Sequence, residues 1–438
     1  FDVTLCLCKM KWTTTLDFLE YLETDSDYYD LIILHTGIVE QSPRHQSIAL
    51  NSLYRNEKGP YDYANFSKTI GGIINQKKAI FDKVFGEIEM EKHLKTDLGV
   101  MYENEHTVNM YSLDMLQEKL IPRLKRIPNL VWISGNKIVP KWNGNYFKER
   151  PTNINLIEEY SQIMLQELPW TLDLSLWSPE EVKKYTCDNM HLSTEGSEYI
   201  YSQLMTIIEK KYKHRDTLVV MGNGPSMKKL DISDLRYYDT FGLNMAYRIF
   251  DDIAFYPKYY GCFDYKVIDC HREAFQKVID EYPMQRYFFI RNYFTGNKFS
   301  YVNLNRSLKK EVFETDVTKI WDIGNSGANA CHVGIGLGYK KIILVGVDCK
   351  YIDYLPEAEK QPNGTLKIVQ TPETNPNYWF DSYQRVGDVY NVPNASKFHE
   401  PAWELLSRLG PQNGIEIINC SEGSTLTCFP ISLLKDLV

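Results

Sequence analysis

Three groups of residues in this chain have the types and spacing that chemistry needs. Asp188 and His191 stand three apart at the mouth of a terminal helix, where a carboxylate can orient an imidazole as the base for a serine nucleophile. The same stretch runs into Ser193-Thr194-Glu195-Gly196, which is also ordinary helix-start chemistry. The second group is Gly222-Asn223-Gly224-Pro225-Ser226, directly after the apolar run 218–221. Glycines at a strand-to-loop corner let the backbone turn tightly and bring N–H groups against an anion, which makes the turn a candidate nucleotide site. It matches neither Gly-x-Gly-x-x-Gly nor Gly-x-x-x-x-Gly-Lys-Ser/Thr, and a Gly-Pro turn after a strand also serves as plain punctuation. The third group closes or follows short apolar runs: Asn244, Asp264, the pair Ser326-Gly327 opening a helix, and Asp348. Polar strand ends gathered on one sheet edge are where ligands bind in open α/β folds.

The elements that must position these residues alternate strand and helix. In the first half, apolar runs at 3–8, 31–34 and 130–134 predict strands, with helices over 15–22, 64–83, 113–125 and 197–211. Residues 37–92 otherwise read as long polar loops. A basic run, Lys210-Lys211-Tyr212-Lys213-His214-Arg215, marks a solvated hinge, after which the strand-helix rhythm restarts. Strands are expected at 218–221, 239–243, 259–263, 287–290, 319–323, 341–347 and 415–419, and the apolar run ending on Asp348 suits a central parallel strand. The helix opened by Ser326-Gly327 is rich in glycine, at a cost of about 1 kcal/mol per Gly against Ala, so close packing or a ligand must offset it. His332 inside that helix reads as a core histidine. Residues 355–396 lack periodicity and are too long for an ordinary connection, which suggests a lid or acceptor-binding loop.

Composition bounds the rest. At 438 residues the chain can bury two or three cores, and a formal net charge of −8 argues against nucleic acid as a main partner. Nine cysteines with no Cys-x-x-Cys pair suit a reducing compartment; Cys6 and Cys8 alone make no zinc set. No apolar run is long enough to cross a membrane. Phe1-Asp-Val-Thr-Leu-Cys-Leu-Cys8 reads as an internal strand, so the numbered chain is expected to begin inside a domain.

Two resemblances add to this reading. Asp188-x-x-His191-Leu-Ser resembles the last block of SGNH hydrolases, and the run 31–37 ending in Gly37 is similar to the strand leading to that family's Gly-x-Asn-Asp block. Here Gly37 is followed by Ile38-Val39-Glu40, and no Gly-Asp-Ser block is present. The resemblance implies an SGNH-like domain over 1–213, truncated at its start and without hydrolytic activity. Residues 217–430 resemble the bacterial CMP-sialic acid sialyltransferases that sialylate lipooligosaccharide, through Gly222-Asn-Gly-Pro-Ser226, Asn244, Ser326-Gly327 and the run 337–348 with the tyrosines after it. They are similar as well to the group holding motility-associated-factor flagellin glycosyltransferases and archaeal hydroxymethylpterin diphosphokinases. The implied fold is α/β in two domains: an SGNH-like, flavodoxin-like parallel sandwich, then a Rossmann-like glycosyltransferase domain over 214–438.

The second resemblance implies that Gly222, Asn223, Gly224 and Ser226 lie along a cytidine monophosphate, that Asn244, Ser326 and Gly327 complete the pocket beside Asp348, and that Tyr351 and Tyr354 donate to the leaving phosphate. His399 stands near the family's base, a few residues displaced, and Asp264 replaces an Asn-Pro of the family, which signals a different donor. The implied activity is metal-independent transfer of a sialic, nonulosonic or 3-deoxy-octulosonic acid from its CMP form to a glycan or lipid-linked glycan, with no cofactor beyond the CMP-sugar. The implied setting is cytoplasmic, with room for peripheral membrane association; oligomeric state stays open. Pyrophosphoryl transfer on a pterin, or an SGNH-type esterase or O-acetyltransferase with a glycan-binding second domain, are the alternatives.

Overall fold

The computed structural model describes residues 14–25, 29–47, 49, 77–305, 311–351, 355–391 and 399–438. The expected strand at 3–8 with Cys6 and Cys8, most of the expected helix 64–83, and Tyr354 lie outside them. The chain divides into two compact units, Phe1–Thr206 and Ile207–Val438, the division falling inside the helix Thr194–Lys213.

The first unit is built on a parallel sheet in the order β1 (Ile32–Leu34), β2 (Leu130–Ile133), β3 (Thr171–Leu172). All four residues of β2 are buried, as a strand covered on both faces requires. The helix predicted over 113–125 forms as a continuous run whose middle, Leu116–Leu120, widens to π geometry just before Pro122. Proline has no N–H to return to the preceding turn, and a π turn absorbs that break without ending the helix.

The second unit holds a seven-stranded, wholly parallel sheet. Its strands are β4 (Thr217–Met221), β5 (Asp239–Leu243), β6 (Tyr259–Cys262), β7 (Arg286–Phe289), β8 (Phe299–Tyr301), β9 (Lys341–Val345) and β10 (Glu416–Asn419), in the order β8-β7-β6-β5-β4-β9-β10. Side chains alternate across the sheet: Leu218, Val220, Ile342 and Leu344 join one core, and Val219, Met221, Ile343 and Val345 join the other. Such runs are apolar throughout because helices cover both faces. Strand order reverses between β4 and β9, which leaves a crevice at their carboxyl ends.

The helices around that crevice are α1 (Tyr265–Cys270), with α2 (Arg272–Glu281) directly after it, α3 (Ser326–Gly336) and α4 (Glu400–Gln412); α1, α3 and α4 supply lining residues. The glycine load of α3 has a packing cause. A Cβ on Gly334 would stand 2.3 Å from Leu218 Cδ2, so glycine lets the helix sit directly on β4. His332 is a fully buried core residue: its Nε2 accepts the Glu314 amide at 3.0 Å and its Nδ1 lies 3.3 Å from the Trp321 carbonyl.

One expectation is corrected. The strand predicted at 319–323 is only Lys319–Ile320, paired with Asn303–Leu304 off the main sheet. Within 355–391, part of the stretch read as a lid or acceptor-binding loop, Ala358–Lys360, Leu366–Ile368 and Val389–Tyr390 form a small antiparallel sheet. Among the described residues, no helix is long and apolar enough to cross a membrane.

Candidate functional site

A cleft of about 660 Å³ opens at the reversal of strand order. One wall is made by the turns after β4 and β9, which bind each other. Gly222 N–H donates to Val345 O at 2.7 Å and Gly224 N–H to Gly346 O at 2.8 Å. A Cβ on Gly222 would meet Gly346 O at 2.2 Å, and one on Gly224 would meet Asp348 Oδ2 at 1.9 Å. These glycines therefore allow two loops to touch, and their amides serve that contact rather than forming a phosphate cradle. Ser226 lies beneath the turn. Its hydroxyl donates to Asp348 Oδ2 at 2.8 Å, so it holds Asp348, and it is not among the residues lining the cleft. Burial pushes the Asp348 carboxyl above its ordinary value, opposed by the hydrogen bonds from Ser226.

The floor carries groups without protein partners. Asn244 follows β5 in the left-handed region, φ 54°, which Asn tolerates better than most residues. Its backbone carbonyl accepts the Tyr260 hydroxyl, while its Oδ1 is buried with no hydrogen-bond partner. Asn325 is the N-cap of α3, its Oδ1 accepting the Ala328 amide at 2.8 Å, and its Nδ2 is likewise buried and unpartnered. Beside it, the first-turn amides of Ser326 and Gly327 face no acceptor that the helix can supply, as at every helix start. Asn223 lines the cleft too, with Nδ2 donating to Leu243 O at 3.0 Å.

The walls bring in the remaining candidates. Asp264 lines the cleft but also caps α1, its Oδ1 accepting from Lys266 N at 2.8 Å and Val267 N at 3.3 Å. Tyr351 and His399 line the cleft as well, their rings 5.6 Å apart. His399 holds the N-cap position of α4 without a side-chain cap bond, and burial lowers its pKa below 6.5. Burial pushes the Tyr351 phenol up, so it stays a hydroxyl donor.

A cluster that the site residues read from the sequence did not include also reaches the cleft. Asp388, from the small antiparallel sheet, takes a two-pronged ion pair from Arg248 at 2.6 and 3.0 Å, and His271 Nε2 stands 3.5 Å from its Oδ1. Asp388 and His271 line the cleft. Asn325 carried a legible signal, a capping residue before a helix start. Arg248 and Asp388 carried none, because nothing local joins residues 140 apart.

In the first unit the expected pair forms. Asp188, its side chain 3% exposed, places Oδ2 at 2.8 Å from His191 Nδ1 and 3.0 Å from Arg150 Nη2, and its Oδ1 accepts the His191 amide at 2.8 Å. The imidazole beyond it is 77% exposed. Burial works to raise the Asp188 carboxyl, but the hydrogen bonds from His191 and Met190 outweigh it and hold its pKa low.

No family model matches the chain, and no curated protein matches it. Solved structures do. The sialyltransferase CstII from Campylobacter jejuni in complex with the substrate analogue CMP-3FNeuAc is 20% identical, with a TM-score of 0.28 over 50% of this chain and 86% of that one. The same enzyme with cytidine-5'-monophosphate is 17% identical, with a TM-score of 0.26 over 50% of this chain and 84% of that one.

Proposed function

We propose that residues 207–438 form a glycosyltransferase that moves an acidic sugar, a sialic, nonulosonic or 3-deoxy-octulosonic acid, from a CMP-activated donor to a glycan. The observation that carries the reading is the unpartnered Asn325 Nδ2, buried in the cleft beside the first turn of α3. An orphaned buried donor asks for an acceptor, and a helix start with free amides favours an anionic one. A nucleoside monophosphate supplies both, with Asn244 Oδ1 left to accept from the base or ribose.

In the proposed reaction an acceptor hydroxyl attacks the anomeric carbon of the donor sugar, and the bond from that carbon to the phosphate oxygen breaks. His399 takes the hydroxyl proton; depressed by burial, it is neutral near pH 7 and able to accept it. CMP leaves with the bonding pair, and neutral donors, the α3 amides, Asn325 and the Tyr351 hydroxyl, stabilise its charge without a metal. Tyr354, assigned to the same phosphate from the sequence, lies outside the described residues.

The test is Asn325→Asp, titrated with CMP by calorimetry. The substitution keeps the capping oxygen and replaces only the free donor, so helix content should hold while CMP affinity falls at least tenfold. Unchanged affinity would remove Asn325 and the reading built on it.

A further inference from the structure

His271 and Asp388 line the cleft on the β6 side, away from the turns after β4 and β9. His271 stands at the junction of α1 and α2, which follow β6, and β6 is two strands from β4, roughly 10 Å at about 4.8 Å per strand. Asp388 reaches the same place from the small antiparallel sheet, just before Val389–Tyr390. Their surroundings are fixed. Arg248, its side chain 8% exposed, binds both oxygens of Asp388, whose side chain is 10% exposed, and also donates to Tyr383 O at 2.7 Å. The Arg385 amide donates to Asp388 Oδ2 at 2.8 Å. One guanidinium thus ties two points of the 355–391 stretch to the body of the unit.

The charge at this end is closed. Arg248 answers Asp388, and the described lining of the cleft has one Lys or Arg, Lys350, which lies in the turn after β9. Among the described lining residues an anionic group placed beside Asp388 would find no free cation, Lys266 being tied to Asn391 Oδ1 at 2.7 Å, and desolvating it there would be costly. A neutral hydroxyl finds an imidazole with its ring held beside a carboxylate, and the side chains of Gln384 and Tyr390 nearby in the lining. The donor in the reading above is an acidic sugar, so it does not fit this end; a neutral sugar does.

We infer that His271, positioned by Asp388 and Arg248, binds a hydroxyl of a neutral glycan acceptor and sets acceptor specificity. The inference rests on the CMP-sugar reading. His271 would touch the acceptor directly; Asp388 is a positioning residue that keeps the ring in place and the small sheet in register with α1. His399 keeps the proton-accepting role, and His271 contributes to holding the acceptor.

The experiment follows CMP release by the full chain from CMP-N-acetylneuraminic acid, alone and with a panel of neutral mono- and disaccharides, for wild type, His271→Gln, His271→Ala and Asp388→Asn. CMP affinity is measured alongside by calorimetry, and thermal unfolding identifies any variant that has lost its fold; His271→Gln is the mildest. At least one saccharide should accelerate CMP release by wild type. The variants should raise the KM for that saccharide at least tenfold while release to water and CMP affinity stay within about twofold. A variant that weakens CMP binding or release to water, and leaves the saccharide KM unchanged, would assign this end to the donor and overturn the inference. CMP binding with no acceleration by any neutral saccharide would overturn it while leaving the CMP reading in place. No binding of CMP by wild type would fell the reading, and the inference with it.

Discussion

The Ser226 hydroxyl donates to Asp348 Oδ2 at 2.8 Å, and the pair locks the turn after β4 to the turn after β9 across the point where strand order reverses. Asp348 is partly buried, and a hydrogen bond to a charged group is worth about 1.5–3 kcal/mol. Ser226→Ala should therefore cost about 2 kcal/mol in chemical denaturation and weaken CMP binding by loosening both turns. A loss below a few tenths of a kcal/mol would show that the two turns hold together without it.

Gly224→Ala tests the same contact by steric means. Gly224 has φ −73°, open to any residue, so the substitution carries no backbone penalty. The added Cβ would stand 1.9 Å from Asp348 Oδ2 and 2.8 Å from Gly346 O. The two turns must then part, and CMP affinity should fall at least tenfold with a lower melting temperature. Normal affinity in a folded Gly224→Ala protein would mean that the turns can separate without consequence for the site.

How much of this was legible in the sequence depended on range. The edge formed by Gly222, Asn244, Asp264 and Asp348 could be read because each residue follows an apolar run long enough to be a buried strand. What each side chain does there could not. Ser226 and Asp348 are 122 residues apart, and only pairing β4 with β9 shows that the serine serves the aspartate rather than a ligand. The small sheet escaped because its strands are two or three residues long, so that even the alternation of Leu366-Lys367-Ile368 is too short to mark a strand. Asp264 was read as a strand end facing the donor, and the structure adds that it caps α1.

His399→Asn should leave CMP binding intact and slow transfer by about 10²-fold or more, the usual contribution of a positioned base. Burial lowers the His399 pKa below 6.5, so the neutral form persists through neutral pH. The acid limb of kcat/KM should fall below 6.5 and disappear in the variant. Transfer within a few-fold of wild type would clear His399 of the role and turn attention to Asp264 or Asp388.

His332 makes a separate statement about stability. Burial holds its folded pKa at about 4 against an ordinary 6.5, because a second proton would set an N–H against the Glu314 amide. Between those values the unfolded chain binds the proton first, so the contribution is full above 6.5 and is lost as pH falls toward 4. The shift corresponds to about 3 kcal/mol. His332→Gln should flatten the fall of unfolding free energy across that window relative to wild type. An identical pH dependence would show that His332 takes up its proton over the same range in the folded and unfolded chains.

The central claim is that the cleft between β4 and β9 binds CMP, and the most direct measurement is the thermal unfolding of the full chain with CMP, CDP, UDP, ADP and ATP, each with magnesium and with a chelator. A ligand at about 100 times its dissociation constant adds about 2.7 kcal/mol, which raises the melting temperature by roughly 5–10 °C in a unit of this size. The expected result is a shift of that order with CMP, the same in magnesium and in chelator, and reduced in Asn325→Asp. No shift with CMP, together with a magnesium-dependent shift with ATP, would contradict it and move the site to pyrophosphoryl transfer.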